Sequence, residues 1–107
     1  MEKFCLQQMV KGWFIGDIDP AAFRTKDCEV AVKHYKEGDA EGKHYHKVAT
    51  EITVIIKGKV RMGGIDYSEG DIIIVEPGEA VDFYCYTDTI TTVVKLPGAL
   101  NDKYLIE

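Results

Sequence analysis

The chain is predicted to be all-β, an antiparallel sandwich or small barrel of about seven to nine short strands. Two observations lead there. From Glu29 onward, short runs rich in β-branched residues alternate with turn signals: Glu37-Gly38-Asp39, Gly58, Gly63-Gly64, Ser68-Glu69-Gly70-Asp71 and Pro77-Gly78. Almost no segment has a helical period.

Taken in order, Phe4–Val10 alternates weakly and is read as a first strand. Trp13, Phe14 and Ile15 form an apolar cluster that plugs an edge of the fold or meets a partner. Asp19-Pro20-Ala21-Ala22-Phe23 is read as a short helical turn, with Asp19 as cap and Pro20 at its first position. The strands that follow are Glu29–Lys36, Lys43–Lys47, Glu51–Lys57, Lys59–Met62, Ile65–Ser68, Ile72–Glu76, Val81–Tyr86 and Thr89–Leu96. Lys59–Met62 and Ile65–Ser68 form a hairpin across Gly63-Gly64. In the irregular tail after Pro97, Leu100, Tyr104, Leu105 and Ile106 leave room for part of it to dock.

The 107 residues fit one domain, 1–107, with a barrel core at about 28–97. A net charge of -5 argues against a broad nucleic-acid surface. No apolar run reaches the length of a membrane span, and MEKFCLQQMV is too short and polar for a signal peptide. Cys5, Cys28 and Cys85 are odd in number and far apart. They are read as reduced thiols of a cytoplasmic protein, without a zinc ribbon.

Ile52, Val54 and Ile56 are apolar, yet so is Ile55 on the opposite face, and Ile72–Val75 is apolar on both faces. A half-solvated sheet alternates. Something therefore covers the outer face, and a homodimer is expected, with the Trp13 region as the competing cover.

The candidate site lies between Gly38 and Gly58. His44 and His46 are two apart and project to one side of a strand. Glu51, after a short turn, returns a carboxylate to them from the adjoining strand. Two imidazoles and one carboxylate suit iron(II), manganese, nickel or zinc. Thr53 and Ile55 share Glu51's side and could line the cavity. Val81, Phe83 and Cys85 share a face that looks into the barrel. Tyr35, Tyr45 and Arg61 are candidate contacts for a polar substrate. With Tyr45 set aside, the candidate pocket is Tyr35, Thr53, Ile55, Arg61, Val81, Phe83 and Cys85.

The pattern Gly38-x5-His44-x-His46-x4-Glu51-x6-Gly58 resembles the first motif of the cupin superfamily at every defined position. A cupin-like second motif runs from Gly70-Asp71 to Pro77-Gly78, and the two cover roughly half the chain. The resemblance implies a double-stranded β-helix, a jelly-roll barrel, with an N-terminal strand or arm. It also implies a divalent metal on His44, His46 and Glu51. The pattern's fourth ligand, a histidine in the second motif, is Val81 here, and Glu76 replaces a proline. Asp82 could serve only if a bulge re-aimed it. His34 lies outside both motifs.

Three functions follow from that likeness. One is a metal-dependent enzyme acting on a small polar metabolite such as a sugar or organic acid, of the isomerase, epimerase or dioxygenase type. Another is a metal-free nucleotide-sugar ketoisomerase-like enzyme with His44 and His46 as acid and base, suggested by His44-Tyr45-His46-Lys47. The third is a non-catalytic small-ligand binding or sensing protein.

Overall fold

The computed structural model describes residues 1–106. Ten strands form two five-stranded antiparallel sheets. They are β1 (Trp13–Ile15), β2 (Glu29–Tyr35), β3 (Ala40–Tyr45), β4 (Thr50–Lys57), β5 (Lys59–Met62), β6 (Ile65–Ser68), β7 (Ile72–Val75), β8 (Val81–Cys85), β9 (Thr89–Leu96) and β10 (Tyr104–Leu105). The first sheet has the order β1-β2-β9-β4-β7 and the second β10-β3-β8-β5-β6. The connections β2–β3, β3–β4, β4–β5, β6–β7, β7–β8 and β8–β9 all pass from one sheet to the other, which gives the jelly-roll barrel expected from the sequence.

The β5–β6 hairpin pairs Met62 with Ile65 across Gly63 and Gly64, both at positive φ, as a two-residue loop requires. Gly58 has a different task. It carries the chain from β4 to β5 at φ 103°, and a Cβ there would stand 2.5 Å from the Asp88 carbonyl oxygen. Only glycine lets the two backbones approach so closely.

Two expectations at the N-terminus are corrected. Phe4–Val10 is not a strand but enters two short 3-10 turns, Leu6–Gln8 and Val10–Gly12. The Cys5 N–H donates to Gln8 Oε1 at 3.2 Å while the Gln8 N–H donates to the Cys5 carbonyl at 3.0 Å, closing the segment on itself. Asp19–Phe23 is not a helical turn, because its backbone groups bond elsewhere. The Ala22 N–H donates to the Phe14 carbonyl at 2.8 Å, and the Phe23 carbonyl accepts from Gly16 at 3.2 Å. Trp13–Ile15 instead becomes the edge strand β1, paired with β2.

The two halves of the sandwich differ in polarity. Ile55, Val60, Met62, Ile73, Val75, Val81, Phe83 and Cys85 pack into one apolar cluster drawn from β4, β5, β7 and β8. A buried aliphatic side chain of this size contributes about 1.5–3 kcal/mol, so this half anchors the fold. The other half, formed by β2, β9 and β3, carries polar side chains on its inner face. Ala31, Lys33 and Tyr35 of β2 lie opposite Val93, Thr91 and Thr89 of β9, and Lys95 lies opposite Glu51 of β4.

The outer face of the first sheet is correspondingly apolar. Val30, Val94, Ile52 and Ile74 form one cross-strand row, and Val32, Thr92, Val54 and Ile72 form the next. Ile72 and Ile74 are 64% and 56% exposed. Within the single chain, β7 is covered on its inner face, through Ile73 and Val75. The Trp13 region is not the cover of the outer face. Trp13 pairs with Ala31 on the inner-face row at the opposite edge of the sheet, four strands from β7. None of the helical elements described is long and apolar enough to cross a membrane.

Candidate metal-binding site

His44 enters the barrel through an irregularity in β3. Glu41 pairs with Phe83 and His44 with Val81, so three residue steps on β3 match two on β8. Strict alternation would place Glu41 and His44 on opposite faces. The extra residue at Gly42–Lys43 brings both inside, the re-aiming a bulge provides. The turn is held by a hydrogen bond of 2.8 Å between His44 Nδ1 and the Gly42 carbonyl. A carbonyl only accepts, so Nδ1 is the donor and Nε2 is the nitrogen left to face a metal.

His46 lies just beyond β3, in the turn toward β4, and two contacts fix it. Its carbonyl accepts from the Gly78 N–H at 2.7 Å, tying the second motif's turn to the first motif. The next three residues bind the tail. The Asp102 carboxylate, 5% exposed, accepts from the backbone N–H groups of Lys47, Val48 and Ala49 at 2.9, 3.1 and 2.9 Å. Burial alone would raise this carboxyl, but the three donors and His46 hold it below the usual carboxylate range. The tail also pairs with β3 through Tyr104 and Tyr45, whose rings stack 5.4 Å apart. Tyr45 is thereby engaged on the tail side.

Glu51, at the start of β4, completes the group. One ligand atom from each of His44, His46 and Glu51 lies within 4.8 Å of the others. Both imidazoles are buried, and Glu51 Oε2 stands 3.4 Å from His46 Nδ1. Burial, followed by the charge of Lys95 and by His44, pushes His46 down to about 4, so it is neutral at pH 7. Burial raises Glu51 above its ordinary value against the pull of Lys95. The contact is thus a neutral imidazole beside a desolvated carboxyl, not an ion pair. Two imidazole nitrogens and one desolvated carboxyl group form a donor set that fits a divalent cation.

The group opens onto a cavity of about 200 Å³. Of the residues expected in the pocket, Tyr35, Thr53 and Phe83 line it. Tyr35 donates to Glu41 Oε1 at 3.2 Å, and burial raises its hydroxyl well above the ordinary value. Ile55, Val81 and Cys85 are placed otherwise, in the apolar cluster beside the cavity. Burial raises the Cys85 thiol, which disfavours the nucleophilic thiolate. Arg61 is corrected outright. It is exposed on β5, beside Gly64, and its polar neighbours are Tyr86, Asp66 and Asp82 on the outer surface. Val81 lies directly across from His44, so the fourth-ligand position is hydrocarbon. Asp82 and His34 are exposed, and no irregularity turns Asp82 inward.

The cavity also holds residues not anticipated from sequence: Trp13, Lys33, Glu41, Thr91 and Lys95, with Lys11 and Lys103 at its edge. Glu41 was hidden by the bulge. Lys33 and Lys95 share their faces with Ala31 and Val93, a signal that was legible but is ordinarily assigned to solvent.

Fold and site together define a cupin-like protein. No family model matches the chain, and no curated protein sequence does. Solved structures do. A conserved protein with a double-stranded β-helix domain from Klebsiella pneumoniae is 27% identical over 78% of this chain and 73% of that one, with a TM-score of 0.69. KdgF from Halomonas sp. is 17% identical over 72% and 74%, with a TM-score of 0.65. A predicted oxalate decarboxylase from Thermotoga maritima is 23% identical over 64% of each chain, with a TM-score of 0.58. Further matches are described as cupin-2 domain, cupin superfamily and RmlC-like cupin proteins.

Proposed function

We propose that the chain is a metal-dependent enzyme acting on a small polar metabolite, a sugar or an organic acid, by isomerisation, epimerisation or dioxygenation. The observation that carries this reading is the convergence of His44, His46 and Glu51 within 4.8 Å at a cavity of about 200 Å³. When bound, a divalent ion there would polarise a ligand oxygen. His44, His46 and Glu51 would hold it, and Val81 in place of a fourth protein ligand leaves room for a substrate atom. Phe83, Met62 and Val93 supply hydrocarbon to the cavity lining. The test is conversion of a panel of small sugars and of hydroxy and keto acids by metal-loaded protein. Turnover that disappears in chelator and returns with metal supports the reading, and full turnover in chelator contradicts it.

A second reading is favoured by one contact. With His46 neutral and Glu51 raised 3.4 Å away, the pair has the form of a base and an acid that work without metal. Chelator-resistant turnover lost in Glu51→Gln would support this version.

We further propose that the protein works as a homodimer of single-domain subunits in the cytoplasm. The apolar outer face of the first sheet, with Ile72 and Ile74 uncovered, supports a second copy as its cover.

A further inference from the structure

Resting on the small-ligand reading above, we propose that the cavity takes a small organic anion, and that Lys33 and Lys95 are the residues that select it. The chain as a whole is acidic, with 18 Asp and Glu against 13 Lys and Arg. The cavity reverses this balance. Four lysines line it, against the two carboxyls of Glu41 and Glu51. A concave site of one sign inside a molecule of the other concentrates ligands of opposite charge.

Two of those lysines are not rim residues. Lys33 and Lys95 rise from the inner faces of β2 and β9, half-buried, and each Nζ stands 5.0 Å from the centre of the Trp13 ring. Two like charges are thus gathered about one indole, whose π face favours each of them. Among the described residues the contacts within 4.0 Å between a basic group and a carboxylate are Arg24–Asp17 and that of the neutral His46 with Glu51, so neither lysine has a carboxylate within that distance. Burial pushes Lys33 below its ordinary value, with Glu41 acting the other way.

An independent observation points into the same space. Thr91 is 1% exposed and lines the cavity, yet its hydroxyl has no hydrogen-bond partner. It lies directly opposite Lys33 in the strand register. Buried polar atoms are normally paired, and an orphan beside two unpaired cations marks a place for a ligand group. An oxyanion has the acceptor oxygens to serve all three. It accepts from two ammonium groups and from the hydroxyl, while the rest of the ligand extends toward His44, His46 and Glu51. Lysines act as point charges, so the anionic head can be a carboxylate or a phosphoryl group.

The test is calorimetric titration of malonate, phosphonoacetate and neutral malonamide into the full chain, once in chelator and once after manganese loading. Wild type is expected to prefer an anion over malonamide by roughly tenfold or more. Lys33→Gln/Lys95→Gln should lose that preference, and Lys33→Arg/Lys95→Arg, which keeps the charge, should retain most of it. Whichever anion binds more tightly names the head group, and either supports the proposal. Equal affinity for all three ligands, including binding of none, overturns it, as does an undiminished preference in the glutamine variant. A protein without metal that still prefers the anion defeats the metal reading alone. One that binds metal but ignores ligand charge defeats this inference alone.

Discussion

His46 Nδ1 lies 3.4 Å from Glu51 Oε2, and burial acts on both groups, holding the imidazole neutral and raising the carboxyl. The pair joins the turn after β3 to the start of β4. It also sets how the site responds to acid.

With His46 at about 4 in the fold and near the ordinary 6.5 when unfolded, the unfolded chain binds this proton first as pH falls. His46 therefore makes metal-free protein progressively less stable from about pH 6.5 down to pH 4. Glu51, raised in the fold, contributes in the opposite sense, because stability associated with its proton is lost as pH rises through its folded value. Denaturant unfolding of wild type and His46→Asn across this range separates the two. The stability advantage of the variant should grow toward pH 4, and a constant difference would contradict the assignment.

Asp102 reaches the same turn from the far end of the chain. Its carboxylate accepts three successive backbone N–H groups between His46 and Glu51. Asp102→Asn leaves one acceptor where there were two and should cost about 2–3 kcal/mol in unfolding free energy. Loosening the turn should also weaken metal binding by roughly tenfold. Thermal denaturation and metal titration of the same variant measure both effects. A variant with lowered stability but unchanged metal affinity would show that Asp102 serves the fold alone.

Thr91 gives a prediction of opposite signs. Thr91→Val removes an unpaired buried hydroxyl at nearly constant shape, so the ligand-free protein should gain up to about 1–2 kcal/mol. The same change should weaken anion binding. Unfolding curves and malonate titrations on one preparation check the pair, and a loss of stability would mean the hydroxyl is already satisfied.

The outer face of the first sheet predicts the state of assembly. Ile72→Lys/Ile74→Lys places two charges at the exposed β7 end of the apolar rows. Sedimentation should find wild type as a dimer and the variant as a monomer with its cavity intact. A monomeric wild type would leave this face to a different partner, and a variant that stays dimeric would place the interface elsewhere.

Much of the barrel was legible because its signals are local. Gly63-Gly64 marked the β5–β6 hairpin at its observed bounds, and His44, His46 and Glu51 lie in one short stretch. What was hidden depends on distance or on parity. Asp102 meets Lys47, 55 residues away in sequence, and no local pattern announces it. Glu41 faces inward because a bulge intervenes before His44. Lys33 and Lys95 are obscured because hydrophobic alternation is ordinarily read with its aliphatic row toward the core. In this sheet Val30, Val32, Ile52 and Val54 look outward, and the polar row looks in. The same inversion explains why Ile72–Val75 read as buried on both sides.

The most direct measurement is elemental analysis of protein purified without added metal, beside His44→Ala/His46→Ala. Wild type should carry close to one divalent ion per chain, and the double variant essentially none while keeping its β-sheet circular dichroism. Equal trace metal in the two would contradict the assignment of His44, His46 and Glu51 as the metal-binding group.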